Sequence, residues 1–214
     1  MQDHIVFVVD DDRRIRESLC VLLSTFDLYA VAFGTAAEYI ESEKPDVPAC
    51  LVLDVELPDI NGLDLQTQIA KGSHPPIVFI TGHGDIPASV RAIKAGAIDF
   101  LTKPFKEDDL LRAIRAGIAQ DRETRRKRAD LAGLAERLES LTPREREVLP
   151  LVVSGLLNKQ AAAKLGISEI TLQIHRGSIM RKMGAASLAD LVRMAAALEI
   201  PIAHSRHASS SDAP

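Results

Sequence analysis

The chain has 214 residues, too many for one minimal domain and too few for three, so one domain near 120 residues and one near 65 are expected. With 46% hydrophobic and 26% charged residues it has a soluble globular composition. No apolar run reaches the roughly 18 residues of a membrane helix, and Gln2-Asp3-His4 is not a basic signal-peptide start, so a cytoplasmic protein without membrane contact is expected. The net charge of −4 is unevenly spread: residues 1–120 hold 11 basic and 19 acidic side chains, whereas residues 139–206 hold 9 and 6, so only the back of the chain suits a polyanion.

In chain order, short apolar runs at 5–9, 29–33, 50–53, 77–80 and 98–101 predict five strands. Helical spacing falls between them: Ile15, Leu19, Leu22 and Leu23; then Leu63, Leu65 and Ile69; then Val90, Ile93 and Ala97. Strands alternating with helices, and apolar on both faces, predict an α/β fold with a parallel sheet covered on both sides. Cys20 and Cys50 sit among apolar residues and read as buried free thiols.

From about residue 106 to 141 one long helical tendency follows. Leu110, Leu111, Ile114 and Ile118 form a stripe that packs on the sheet. The stripe lapses across 121–130 and resumes as Leu131, Leu134, Leu138 and Leu141, the spacing of a short helix-pairing seam. Residues 121–138 are therefore expected to form a helical linker, with Arg125-Arg126-Lys127-Arg128 as a solvated face. Beyond it, Thr142-Pro143-Arg144-Glu145 has the N-cap, first-turn proline and third-position glutamate of a helix start. Residues 139–203 read as short helices, and 204–214 as a flexible tail rich in Ser and Ala.

Polar residues gather at the expected strand ends: Asp10, Asp11 and Asp12 after the first, Asp54 on the third, Thr81 on the fourth and Lys103 past the fifth. Ligands of an open parallel sheet bind outside these carboxyl ends. A lone strand-end aspartate is ordinarily a cap or turn former, but six coinciding polar ends point to a site. Crowded carboxylates resist ionisation unless a cation neutralises them, and Mg²⁺ suits an all-oxygen set. An aspartate there can accept a phosphoryl group, with Lys103 as fixed cation and the Thr81 hydroxyl as donor.

Residues 4–120 resemble the response-regulator receiver family. Val8-Val9-Asp10-Asp11-Asp12, Leu53-Asp54-Val55-Glu56-Leu57-Pro58, Ile80-Thr81-Gly82-His83-Gly84-Asp85 and Phe100-Leu101-Thr102-Lys103-Pro104-Phe105 carry the likeness. The resemblance implies a flavodoxin-like, doubly wound five-stranded sheet in residues 1–120. It makes Asp54 the acceptor from a sensor histidine kinase and gives Mg²⁺ to Asp11, Asp54 and the Glu56 backbone carbonyl, with Asp10 acting through water. Thr81 would move onto the phosphate, Phe100 would change rotamer, and Lys103–Pro104 would be cis. Asp12 stands where close relatives often carry Glu, a departure expected to leave the chemistry unchanged, although a third acid could raise metal affinity. Glu56 and His83 occupy positions that tune phosphate loss in the family; inert loop side chains are the alternative. The fourth helix, near 86–95, and the fifth strand would form a dimer face, with Arg91, Lys94 and Asp99 supplying both signs of charge.

Around Leu165-Gly166-Ile167-Ser168, two helical patterns meet at a glycine suited to ending one helix and a serine suited to capping the next, a helix-turn-helix. In the second helix Leu172, Ile179 and Met183 share one face. Glu169, Ile170, Gln173, Ile174, Gly177 and Arg181 share the other, with the mixed chemistry that reads base edges. Thr171 completes the expected DNA set, while Lys159, Arg176 and Lys182 flank it for phosphates. His175 is expected to lie half-buried rather than to act as a base. Residues 141–198 resemble the LuxR/NarL-type family through Leu141–Leu149, Gly155–Gln160 and Leu165–Ser168, and with the receiver the whole resembles the FixJ subgroup. That likeness implies an all-α DNA-binding domain that dimerises on phosphorylation, binds double-stranded promoter DNA and activates transcription through RNA polymerase. An aspartate-nucleophile phosphatase would need an aspartate where Glu56 stands, and a degenerate receiver would have lost Asp54, Thr81 or Lys103.

Overall fold

The computed structural model describes residues 3–70, 72, 74–82, 84 and 86–201, so the expected tail at 204–214 and His83 lie outside the described residues. The chain divides into one compact unit up to Arg126 and another from Lys127 on.

In the first unit, β1 (Ile5–Val9), β2 (Ala30–Phe33), β3 (Ala49–Asp54), β4 (Ile77–Thr81) and β5 (Asp99–Thr102) form a parallel sheet in the order β2-β1-β3-β4-β5. Alternating side chains serve opposite faces. Ile5, Phe7 and Val9 join Leu51, Leu53 and Phe79 on one side, and Val6 and Val8 join Val52, Val78 and Ile80 on the other. Helices α1 (Arg13–Ser24) and α5 (Glu107–Glu139) bury Leu19, Leu23, Leu110 and Ile114 on the second side. Helices α2 (Ala36–Glu41), α3 (Gly62–Ile69) and α4 (Ile86–Lys94) bury Tyr39, Leu65 and Ala92 on the first. Both faces are covered, which is why the strands read as unbroken apolar runs.

Helix α2 was not expected, because six residues carry too few buried positions to show a period. Its caps announce it instead. The Thr35 side chain accepts the Glu38 N–H, and the Glu38 carboxylate accepts the Gly34 N–H.

The first unit extends past residue 120, where the apolar stripe of α5 lapses. Asp121 is buried and its Oδ2 accepts the Ala49 N–H at 2.8 Å, closing the start of β3 onto α5. Arg125 then binds Asp121 and Asp46. The basic run is thus partly engaged within the unit, since Arg126 also pairs with Glu123 at 3.0 Å. Cys50 is fully buried as expected, whereas Cys20 is only half-buried.

The second unit packs the end of α5 with α6 (Pro143–Val153), α7 (Asn158–Leu165), α8 (Glu169–Met183) and α9 (Leu188–Ala197). Its core is aliphatic, built on Leu149, Leu172, Ile179, Met183 and Leu191. The expected helix-pairing seam is corrected here: Leu141 is buried in this core and Leu138 packs against it, so these two leucines serve the unit itself. Thr142 and Glu145 form the capping box of α6. At the head of α7 stands Leu157, 69% exposed, which has no side-chain oxygen to offer the first turn.

Two outcomes follow from these packings. A Cβ on Gly117 would lie 2.7 Å from the Cys50 sulfur. Gly117→Ala should therefore destabilise the first unit by about 1–2 kcal/mol, although alanine is the better helix former. Adding Cys50→Ala should recover most of that loss in urea unfolding followed by tyrosine fluorescence. Leu157→Ser supplies the missing cap and should stabilise α7 by about 0.5–1 kcal/mol, read as slower amide exchange in that helix.

Candidate phosphoryl-acceptor site and nucleic-acid interface

The register of the sheet assembles the acidic site. Val9 pairs with Leu53, so Asp10 and Asp54 emerge side by side at the carboxyl edge. Thr81 ends β4 and pairs with Thr102, which delivers Lys103 next to them. Asp10 and Thr81 are fully buried and Asp54 is 5% exposed. The Lys103 ammonium donates to Asp10 Oδ2 and Asp54 Oδ2, both at 2.6 Å. The Lys103–Pro104 peptide is cis, as the resemblance implied.

The second oxygen of each carboxylate is held by the backbone. Asp10 Oδ1 accepts the Asp12 N–H at 2.9 Å, and Asp54 Oδ1 accepts the Glu56 N–H at 3.0 Å. Burial raises the Asp10 carboxyl above its ordinary value, and the Asp54 charge adds to this against the opposing bonds from Lys103 and Asp12. Burial pulls Lys103 down, but its two carboxylate partners outweigh that and leave it above its usual value. Carboxylate oxygens of Asp10, Asp11 and Asp54 lie within 4.8 Å of one another, and Asp11 is exposed. Three hard oxygen donors at that spacing fit a small divalent cation.

Asp12 does not join that group. Its carboxylate caps α1, accepting the Arg14 N–H at 2.8 Å. Phe100 is half-buried against Phe79, ring centroids 6.0 Å apart. Glu56 is exposed and its backbone bridges to Asn61.

Three supporting residues escaped the sequence reading. Arg16 donates to the carbonyls of Asp10 and Asp11 at 2.7 and 2.9 Å, fixing the loop after β1. Asp59 accepts the N–H groups of Ala36 and Ala37, fixing the loop after β3 to the start of α2. Burial opposes its charge, but these two N–H groups hold the Asp59 carboxyl below its ordinary value. Gly62 has no room for a side chain, since a Cβ would stand 2.4 Å from the Asp54 carbonyl oxygen. The available signals were a basic residue one turn into α1, an acid after Pro58 and a glycine opening α3.

In the second unit, Gly166 ends α7 in the left-handed conformation and Ser168 caps α8 by accepting the Thr171 N–H at 3.1 Å. Leu172, Ile179 and Met183 are fully buried. Glu169, Ile170, Gln173, Ile174, Gly177 and Arg181 are exposed, so the expected reading face is open. His175 is half-buried, as expected.

The flanking bases divide. Lys159 is exposed, and Arg176 is half-buried and donates to Asn158 of α7 at 3.1 Å. Lys182 turns inward to Glu145 at 2.7 Å and to the Ser140 carbonyl at 3.2 Å, a correction to its expected place on a phosphate. The physical reason is Glu145, 4% exposed, whose carboxylate needs a counter-charge. Arg137 donates to the Met183 carbonyl at 3.1 Å, so the end of α5 caps the end of α8.

Both units match known families. Residues 6–115 match the response regulator receiver domain, and residues 139–195 match bacterial regulatory proteins of the luxR family. Nodulation protein W of Bradyrhizobium diazoefficiens is 53% identical over 201 residues, covering 94% of this chain and 88% of that protein. The transcriptional regulatory protein FixJ of Azorhizobium caulinodans is 42% identical, covering 89% and 90%. The low-resolution structure of the response regulator StyR superposes with a TM-score of 0.80 at 46% identity, covering 91% of this chain and 98% of that one. The full-length FixJ structure from B. japonicum gives 0.55 at 37% identity, covering 94% and 99%. Fold and site together define a regulator built from a receiver and a DNA-binding domain. The chain belongs to the response regulators of the luxR family, with relatives in the FixJ group. Among the described residues, no helix is long and apolar enough to cross a membrane.

Glu145 offers a pH test of the second unit. Burial raises its carboxyl, but bonds from Lys182, Ser178 and Thr142 prevail and lower it from 4.5 to about 2. A depressed carboxyl stabilises fully above its unfolded value, so this contribution should persist above pH 4.5 and fade as pH falls toward 2. Glu145→Gln should cost about 2 kcal/mol at neutral pH and flatten that acid limb. Every Phe and Tyr precedes Lys106, so amide exchange in α6 and α8 is the suitable readout.

Proposed function

We propose that Asp54 accepts a phosphoryl group from a sensor histidine kinase, and that this promotes dimerisation and sequence-specific binding of promoter DNA to activate transcription. The observation that carries the reading is the Lys103 fork, with one ammonium 2.6 Å from both Asp10 and Asp54 beside a third carboxylate. A carboxylate can attack phosphorus only if its own charge and that of its neighbours are screened. Asp11, Asp54 and the Glu56 backbone carbonyl would hold Mg²⁺, with Asp10 acting through water. When bound, the ion supplies the positive charge that lets a dianionic phosphoryl group approach these acids.

This chain's residues do the rest. The Glu56 N–H orients Asp54 by holding Oδ1. Lys103 stays with the developing charge on a phosphoryl oxygen, and the Thr81 hydroxyl turns to another. That movement frees space toward Phe100, which rotates against Phe79. Self-phosphorylation and loss of phosphate are the receiver's only chemistry, with Glu56 and His83 setting the lifetime.

The response reaches a second copy through α4 and β5. Helix α4 leaves Ile86, Val90 and Ile93 exposed beside Arg91 and Lys94, and Asp99 opens β5. An apolar strip with charges of both signs suits pairing of identical faces. Pairing places two copies of α8 on one DNA site, with Lys159, Thr171 and Arg176 near the backbone and Gln173 on a base edge. RNA polymerase is the final partner, reached in the cytoplasm.

The test is DNA affinity with and without acetyl phosphate for the full chain and for Asp54→Asn. The wild type should bind about tenfold tighter or better when phosphorylated and sediment as a dimer, and Asp54→Asn should do neither. An equal response from Asp54→Asn would overturn the reading.

A further inference from the structure

Helix α8 is apolar on two opposite sides. Leu172, Ile179 and Met183 are fully buried, as a core face requires. On the other side Ile170 is 72% exposed and Ile174 is 66% exposed. The two are four positions apart, so their side chains stand next to each other along the helix. Neighbouring on one side of the helix, they form a small exposed apolar strip. One turn further on, Gly177 completes the strip, and a Cβ built there would meet nothing within 4 Å. The strip therefore has two projecting aliphatic groups and then a place where the bare backbone can come close to a partner.

The occupant follows from what surrounds the strip. It lies on the open face of the helix-turn-helix, in the residues that match the luxR family, with Gln173 between the isoleucines and Arg181 beyond them. In the major groove, the one apolar group that distinguishes a base pair is the C5 methyl of thymine. An isoleucine side chain has no hydrogen-bonding atom, so it discriminates between base pairs by covering such a methyl.

We propose that Ile170 and Ile174 are specificity-determining residues that read thymine methyl groups, so that each half-site carries thymines facing the first two turns of α8. This rests on the reading of the second unit as a DNA binder. Gln173 supplies the hydrogen-bonding element of the same site, and the isoleucines supply an element that depends on methyl groups alone.

The experiment begins with selection of a duplex from a random pool by the phosphorylated full-length protein. Each thymine of the selected duplex is then replaced in turn by deoxyuridine, which removes the methyl and keeps every hydrogen-bonding group. Wild type should lose about fourfold in affinity at each methyl that an isoleucine covers. Ile174→Ala and Ile170→Ala should each bind the parent duplex more weakly and become indifferent to deoxyuridine at its own position. Both side chains are exposed, and an unchanged amide-exchange pattern confirms that the variants fold. A selected duplex that tolerates deoxyuridine everywhere overturns the proposal and leaves DNA binding intact, as does a penalty that persists unchanged in both variants. Failure to select any sequence overturns DNA recognition and this proposal together.

Discussion

Two carboxylates that share a nearly dry space repel each other, and this chain brings Asp10 and Asp54 together with Lys103 between them. Each pair would cost more in lost hydration than it returns if it stood alone in the interior. The arrangement holds because one ammonium serves both acids while backbone N–H groups serve their remaining oxygens. A third carboxylate, that of Asp11, stands close by and adds to the negative charge. The rest of the first unit can be understood as the frame for this contact. The acids come from neighbouring strands β1 and β3 and the lysine from the far side of β4, and the order of the sheet brings them together.

The supports of the site were less legible than its centre. The strands could be read from sequence because a strand covered on both faces is apolar throughout. Asp10, Asp54, Thr81 and Lys103 could be read because strand ends in a parallel sheet share one edge. Arg16 and Asp59 act on backbone groups through contacts that no spacing rule announces. Asp12 adjoins Asp10 and Asp11, yet its carboxylate turns to the helix it caps.

The second unit has its own version of this limit. The helical period placed Leu172, Ile179 and Met183 correctly because a period reports which face is buried. It placed Lys182 on the rim of the reading face, where its backbone does lie. The side chain is drawn away by Glu145, 37 positions earlier in the chain. The glutamate was legible as the third residue of a capping box, but not its need for a cation. Leu138 and Leu141 looked like a pairing seam because a core and a seam use the same spacing. Asp121 was equally hidden: a charged residue in a charged run gave no sign that it closes β3 against α5.

The division of α8 into a core side and an open side bears on how such regulators multiply. Leu172, Ile179 and Met183 hold the helix in place, and Ile170, Gln173, Ile174 and Gly177 contribute nothing to that hold. A duplicated gene could therefore change that open side one residue at a time and keep the core that holds the helix. The receiver would be untouched by those changes.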